Sequence, residues 1–363
     1  MNFKTTAMSD RKCRKRFIFY TILYYLNYTG LSAPLPILGY TILGLIPAVA
    51  YGCTPAPEIQ DDAKEETVLR LMKSSGDLMS SAGSADILIF NDDRMQRLDA
   101  YQESAIPSCS VIKAASTAGN KIMAVFVYAR RERYDWAEIN SFEGLEDICV
   151  NLEQEASGLE AMSGVHRGRA GSPANISLER LASEVVIRSI SCSFKGKAYD
   201  GMPLKNAKAY LTNVNAEAPL ITQHPYIPRR IVNSGKLDMD DVSGFSEPDM
   251  IFHEFGSDIT GSRIWPDVRF RCYPNETPEE YPGAPFTRLV IEGEIDGKTY
   301  YWPFNINRDG AGKGIERNCR YIYDIKITRL GHTSPDIPIE TDNADITSEI
   351  ETWKDKEEYG VRF

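Results

Sequence analysis

The sequence holds little from which a catalytic centre could be built. Its 363 residues include four histidines, His166, His224, His253 and His332, and none has a second ligand at metal-binding spacing. His253-Glu254 resembles half of a zinc-protease motif, but no second histidine follows, so it reads as a pair on a β surface. No Gly-x-Ser-x-Gly nucleophile elbow is present, and Gly310 to Gly314 is a fragment of a phosphate loop without its Lys-Ser/Thr ending. Asp92-Asp93 and Asp238 to Asp241 lack the spaced ligands of a calcium loop and read as solvated turns. No local feature picks out a carboxylate pair for glycoside hydrolysis. Seven cysteines occur without one Cys-x-x-Cys pair, which argues against a zinc site. Cys109, Cys149, Cys192, Cys272 and Cys319 are far apart and read mainly as small apolar strand residues, with a disulfide such as Cys192 to Cys272 left open. No metal ligand, cofactor or catalytic residue is assigned, and the chemistry points to structure and binding.

Basic charge is also in short supply. Lys and Arg number 41 against 51 Asp and Glu, a net charge of −10. Six of those basic residues and one acidic residue lie in 1–52, so a chain without that segment would carry −15. Such a surface argues against nucleic acid as a partner. Residues 1–52 read as an export signal. Arg11, Lys12, Arg14, Lys15 and Arg16 precede an apolar run from Phe17 to Ala50, interrupted by Pro34, Pro36 and Pro47. Met1 and Met8 both stand as starts, Met8 leaving the more ordinary basic region. The run ends in Ala50-Tyr51-Gly52-Cys53, which resembles a bacterial lipobox and implies acylation of Cys53 as the new N-terminus. An uncleaved membrane anchor ending near Cys53 is the alternative. Glu58, Asp61 and Asp62 follow closely and resemble the surface-export signal of Bacteroidetes lipoproteins, which places the chain on the outer face of the outer membrane. Residues 53–66, Pro-rich and acidic, form the expected lipidated flexible tether.

Beyond the tether the pattern is one strand after another. Ala85 to Phe90 and Lys121 to Tyr128 are continuous apolar runs bounded by turn residues, as central strands are. One short helix is expected between Ser141 and Leu152, where Phe142, Leu145, Ile148 and Leu152 fall at helical spacing behind a Ser cap. Val186, Ile190, Cys192 and Phe194 are expected on one face of a strand, and Val268, Phe270 and Cys272 alternate with Arg269, Arg271 and Tyr273. Asp296-Gly297 divides two alternating runs and predicts a tight hairpin. The fold class is therefore all-β: antiparallel β-sandwich domains with one short helix. The remaining length suits two domains, expected over 67–175 and 176–363. The glycine-rich stretch Ser163 to Pro173 reads either as the linker between them or as a long hairpin loop within one domain.

Five segments, in order, resemble the fimbrillins of Bacteroidetes, the lipoprotein-derived subunits of type V pili. They are Asp86 to Asp93 with Leu98 to Tyr101; Ala118 to Phe126; Leu159 to Gly164; Ile176 to Val185; and Ile315 to Tyr321, followed by Trp353. Tyr128 stands where relatives often carry Asn. The resemblance implies two transthyretin-like β-sandwich domains, with the change of domain near Ile176 to Val185. It also implies a subunit that polymerises by strand exchange. A trypsin-like protease cuts after an arginine near the N-terminus, the first strand is lost, and a strand from the next subunit fills the groove. Arg70 is the arginine expected to be cut. The expected donor is the C-terminal segment in which Ile346, Ser348 and Ile350 alternate with Thr347, Glu349 and Glu351 ahead of Trp353. Implied partners are other fimbrial subunits, the outer membrane through the lipid, and a host or bacterial surface ligand. Uncut members of the family anchor the pilus, so the alternative is an anchoring or monomeric surface lipoprotein that binds glycan or host protein through aromatics such as Trp265 or Tyr300 to Trp302.

Overall fold

The computed structural model describes residues 64–73, 83–106, 111–129, 136–221, 224–308, 312–339 and 344–352. The export segment, Cys53, the tether up to Ala63, and Trp353 lie outside the described residues. Among the described residues no helix is long and apolar enough to cross a membrane.

The first half of the chain is a sandwich made from one sheet of seven strands folded at a corner. β1 (Glu65–Lys73), β2 (Ser84–Asn91), β3 (Leu98–Ala105), β4 (Val111–Ser116), β5 (Asn120–Val127), β7 (Met162–Arg169) and β8 (Ala174–Arg180) are ordered β3-β2-β5-β7-β8-β1-β4. The corner lies between β7 and β8, which pair only at Met162 with Arg180 and at Ser163 with Glu179. One layer is β3-β2-β5-β7 and the other is β8-β1-β4. Between them lies a core of Leu69, Leu71, Ile87, Ile89, Ile112, Met123, Val125, Ile176 and Leu178. The alternate residues of the central strands are buried as well. Leu88, Phe90, Ile122, Ala124 and Phe126 face a second core, which explains why β2 and β5 read as unbroken apolar runs. A short helix, α1 (Phe142–Glu146), covers that face. Ser141 caps it by accepting from the Gly144 amide, Phe142 meets Phe90 edge-on at 5.6 Å, and Trp136 stacks on Phe126 at 5.5 Å.

α1 is shorter than the spacing suggested. After Asp147 the chain extends into β6 (Cys149–Asn151), which pairs with β12 (Glu217–Pro219), so Ile148 and Leu152 reach the core from extended backbone and a 3-10 turn. Of the two readings of Ser163 to Pro173, the structure shows the hairpin within one sandwich and not the linker, with most of the stretch in β7 and the rest in the turn into β8. Gly164 is required because a Cβ there would lie 2.3 Å from the Ser177 carbonyl oxygen on β8. The change of sheet falls after Arg180.

The second half packs two four-stranded sheets around the second core. β9 (Ser183–Cys192), β15 (Val268–Cys272), β18 (Cys319–Ile327) and β19 (Ala344–Thr352) are ordered β15-β9-β18-β19. Opposite lie β10 (Lys205–Thr212), β14 (Phe252–Glu254), β16 (Arg288–Ile295) and β17 (Lys298–Asn305), ordered β14-β10-β16-β17. A small pair, β11 (Val214–Asn215) with β13 (Ile231–Val232), closes one end. Phe304 and Tyr323 meet across the layers at 5.2 Å. Asp296 and Gly297 both take positive φ, 51° and 70°, and close the β16–β17 hairpin as expected. Pairing is mostly antiparallel, but β1 with β8 and β9 with β18 run parallel. A second short helix, α2 (Met239–Ser243), occupies the acidic turn; Asp238 caps it and Asp241 accepts from the Asn233 amide.

One face assignment changes. Tyr323 pairs with Ile187 and Asp324 with Ser189, so Arg188 is an extra residue in β9. The bulge reverses the alternation, placing Val185 and Ile187 with Ile190 and Cys192 in the core and leaving Val186 out of it. The cysteine pairing also fails. Cys272 lies beside Ser183, at the opposite end of β9 from Cys192, and all four described cysteines are free thiols. Burial pushes the Cys192 thiol up to about 12.

A buried polar seam ties the two halves together. Arg317 donates to the carbonyls of Glu179 and Arg180 and to the Ser163 hydroxyl. Arg271 reaches Glu160 at 2.9 Å, and the Tyr273 hydroxyl donates to Glu155 at 2.6 Å. Burial lowers the Arg317 guanidinium to about 10, with Glu179 opposing the shift.

Candidate functional site

β1 is the middle strand of its three-stranded layer, and its two neighbours grip different parts of it. β4 pairs antiparallel with Glu65 through Arg70; β8 pairs parallel with Leu69 through Lys73. Inward, Thr67, Leu69 and Leu71 are fully buried, while Arg70 points outward and is exposed. The arginine singled out from the sequence therefore sits where one ladder ends and the other continues. A cut after Arg70 removes every β1 residue paired with β4 and leaves Leu71, Met72 and Lys73 opposite Ile176, Ser177 and Leu178. The opened space would be floored by the inner core and walled by Ile112 and Ala114 of β4 and by Ala174 and Ile176 of β8. Further ties on β1 are modest: the Thr67 hydroxyl accepts from the Gly171 amide at 2.9 Å, and Glu66 pairs with Lys113 in solvent.

β19 lies far along the chain at the edge of its sheet, and among the described residues it is bonded to β18 alone. Ile346, Ser348 and Ile350 share a face, opposite Ile325, Tyr323 and Tyr321. Ile346 is half-buried against the core, Ser348 is exposed, and Ile350 is 50% exposed, so the strand covers the core edge loosely. On the other face Glu349 pairs with Arg188 and Glu351 with Arg320, both in contact with water. The structure does not bring Arg70 and the β19 residues into one site; they belong to different sandwiches.

A cluster not anticipated from the sequence closes one end of the first sandwich. Lys121 is the first inward residue of β5, in phase with Met123, Val125 and Val127, and is fully buried. Its ammonium donates to Asn91 Oδ1 at 2.6 Å, Thr117 Oγ1 at 2.7 Å and Asp99 Oδ2 at 2.9 Å. Asp99 also accepts from the Thr117 amide and hydroxyl, each at 2.8 Å. Burial works to raise Asp99, but the bonds from Lys121 and Thr117 outweigh it and hold the carboxyl below its ordinary value. The signal in the sequence was a lysine standing in phase with apolar inward residues.

The aromatics proposed as a ligand platform divide. Trp302 is core, its indole nitrogen donating to the Arg329 carbonyl at 3.0 Å. Trp265 is 64% exposed, with the Arg263 guanidinium over its ring. His253 lies on the short edge strand β14 against Phe255, and Glu254 pairs with Lys208.

No protein-family model and no curated protein matches the sequence. The structure does have solved counterparts. A candidate cell adhesion protein from Parabacteroides distasonis superposes with a TM-score of 0.59 at 15% identity, over 80% of this chain and 97% of that one. The fimbrilin of Porphyromonas gingivalis gives 0.56 at 13% identity, over 79% and 97%. The chain has the fimbrillin fold. A candidate cell adhesion protein from Bacteroides eggerthii, with a TM-score of 0.56 at 13% identity over 80% and 96%, shares it. At such identities the fimbrillin fold is what has been retained, and the all-β sandwich architecture expected from the sequence is met.

Proposed function

We propose that this chain is a fimbrillin: a structural subunit of a surface fimbria, exported as a lipoprotein through Cys53, assembled by strand exchange and serving adhesion. The observation that carries the reading is the division of β1 at Arg70. An exposed arginine lies where cleavage strips β4 of its whole ladder and frees Ala174 and Asn175 of β8, yet leaves Leu71 to Lys73 paired with Ile176 to Leu178. A sandwich opened in this way exposes apolar core and unpaired backbone along two strands, which an incoming extended segment satisfies by β-augmentation. The occupant is the β19 segment of a neighbouring subunit, with Ile346, Ser348 and Ile350 at alternate positions and Trp353 following in the sequence. β19 is an edge strand with few buried side chains, so its hold on its own sheet is mainly the β18 ladder and the ion pairs of Glu349 and Glu351. Partners on this reading are other subunits, the outer membrane until the lipid is removed, and a surface ligand. The two domains of the subunit are the sandwich ending at Arg180 and the one beginning at Ser183.

Mass spectrometry of the N-terminus of cell-associated protein tests this. A polymerised subunit begins at Leu71, with an acylated Cys53 form as its precursor. A population that keeps acylated Cys53 throughout contradicts polymerisation and identifies a permanently anchored lipoprotein.

A further inference from the structure

β4 is the weak point of a strand-exchange mechanism. It has β1 as its single ladder partner among the described residues, and all six pairs, Glu65 with Ser116 through Arg70 with Val111, lie on the piece that a cut after Arg70 releases. Without a ladder, β4 would be held by Ile112 and Ala114 in the core and by whatever grips its ends. A groove with one wall adrift could not set the register of an incoming strand.

We propose that Lys121, Asp99 and Thr117 form a clasp that keeps β4 standing after β1 is cut, so that the groove remains a formed acceptor; the inference rests on the strand-exchange reading. Thr117 follows directly on the last residue of β4. It is bound by Asp99 of β3 through its amide and its hydroxyl, and by Lys121 of β5 through the hydroxyl. Asn91 at the end of β2 takes the third Lys121 bond, so all three ammonium protons are used. Further along, the Gln102 side chain of β3 donates to the Lys113 carbonyl in the middle of β4 at 2.9 Å. Every one of these groups lies on the β3-β2-β5 layer, on β4 or in the turn that joins β4 to β5, and none on β1. The clasp therefore survives the loss of β1 and fastens β4 to the layer that the cut leaves untouched. A fully buried ammonium is costly unless each of its protons is bonded, which makes the arrangement all-or-none. Lys121, Asp99 and Thr117 act as positioning residues: none touches the incoming strand.

The test is amide hydrogen exchange at Ile112 to Ser116, in the intact full chain and in the same chain cut at Arg70, for wild type, Lys121→Met and the milder Thr117→Val. In the intact chain the β1 ladder protects β4, and both variants shift its exchange by less than about 10-fold. In the cut chain wild type keeps protection, while Lys121→Met loses about 100-fold or more and Thr117→Val an intermediate amount. A synthetic peptide of residues 59–70 rebinds the cut wild type and restores exchange to the intact level, and binds the cut variants more slowly. Equal protection of β4 in cut wild type and both cut variants overturns the clasp, as does a β4 already unprotected in cut wild type. Polymerisation is read separately. Cut wild type that keeps a Lys121-dependent β4 but neither rebinds peptide nor assembles supports the clasp and refutes strand exchange. Cut chains that assemble equally well with or without Lys121 support strand exchange and refute the clasp.

Discussion

Arg70 is the last residue of β1 that pairs with β4, opposite Val111, and the next residue, Leu71, pairs only with β8. Cleavage after Arg70 is expected to require that side chain and little else. Arg70→Gln should leave thermal stability within about 0.5 kcal/mol of wild type, because the side chain is exposed and unburdened by packing. It should nevertheless abolish the product beginning at Leu71 when N-terminal sequencing follows treatment with an arginine-specific protease.

Leu69 and Leu71 are equally buried but would have different fates under the proposed cut, the first leaving with the released piece and the second staying. Leu69→Ala should destabilise the intact chain by about 2 to 5 kcal/mol, the cost of a large-to-small change in a packed core. In the chain cut at Arg70 the same substitution should be silent, while Leu71→Ala should still destabilise. Denaturant melts of the intact and cut forms of both variants measure the difference.

Asp99 gives a pH signature. Its folded carboxyl is held below the ordinary value, so its contribution is present at neutral pH and is lost as pH falls through the lowered value. Wild type should therefore be more stable than Asp99→Asn near pH 7, and the two should converge as pH falls below the ordinary carboxylate value of about 4 and on through the lowered one. Urea melts across that range read the convergence; a gap that persists in acid would show that the effect is packing and not charge.

Much of this was legible because local rules agreed with the fold. Asp296-Gly297 announced its hairpin because both turn positions need positive φ, and β2 and β5 read as central strands because both of their faces are buried. Arg70 could be picked out as an arginine ahead of the first apolar strand, but the ladder break that gives it meaning depends on β4 and β8, which arrive about 40 and 100 residues later and pair by tertiary contact. Some readings stayed open or failed for physical reasons. Glycines in Ser163 to Pro173 left a linker and a hairpin both open, because composition does not show that Gly164 lets β7 approach the β8 backbone. Val186 was expected on the face of Ile190 and Cys192, and only the partners on β18 reveal the bulge at Arg188 that breaks that alternation. Tyr128 takes a φ of 57°, a left-handed conformation that Asn tolerates better than Tyr, and nothing in the sequence pattern marks it. Lys121 passed as the polar start of an apolar run, since periodicity marks a residue as inward without naming what waits there for its charge.

The central claim is that losing residues up to Arg70 turns a closed sandwich into a polymerising one. The most direct measurement is unheated SDS gel electrophoresis of the purified precursor before and after arginine-specific cleavage, with the N-terminus of each band sequenced and Ile350→Asp run beside wild type. The account predicts a ladder of SDS-resistant oligomers whose subunits begin at Leu71, and a Ile350→Asp chain that is cut as efficiently but fails to form the ladder. Subunits that begin at Leu71 and remain monomers would contradict it.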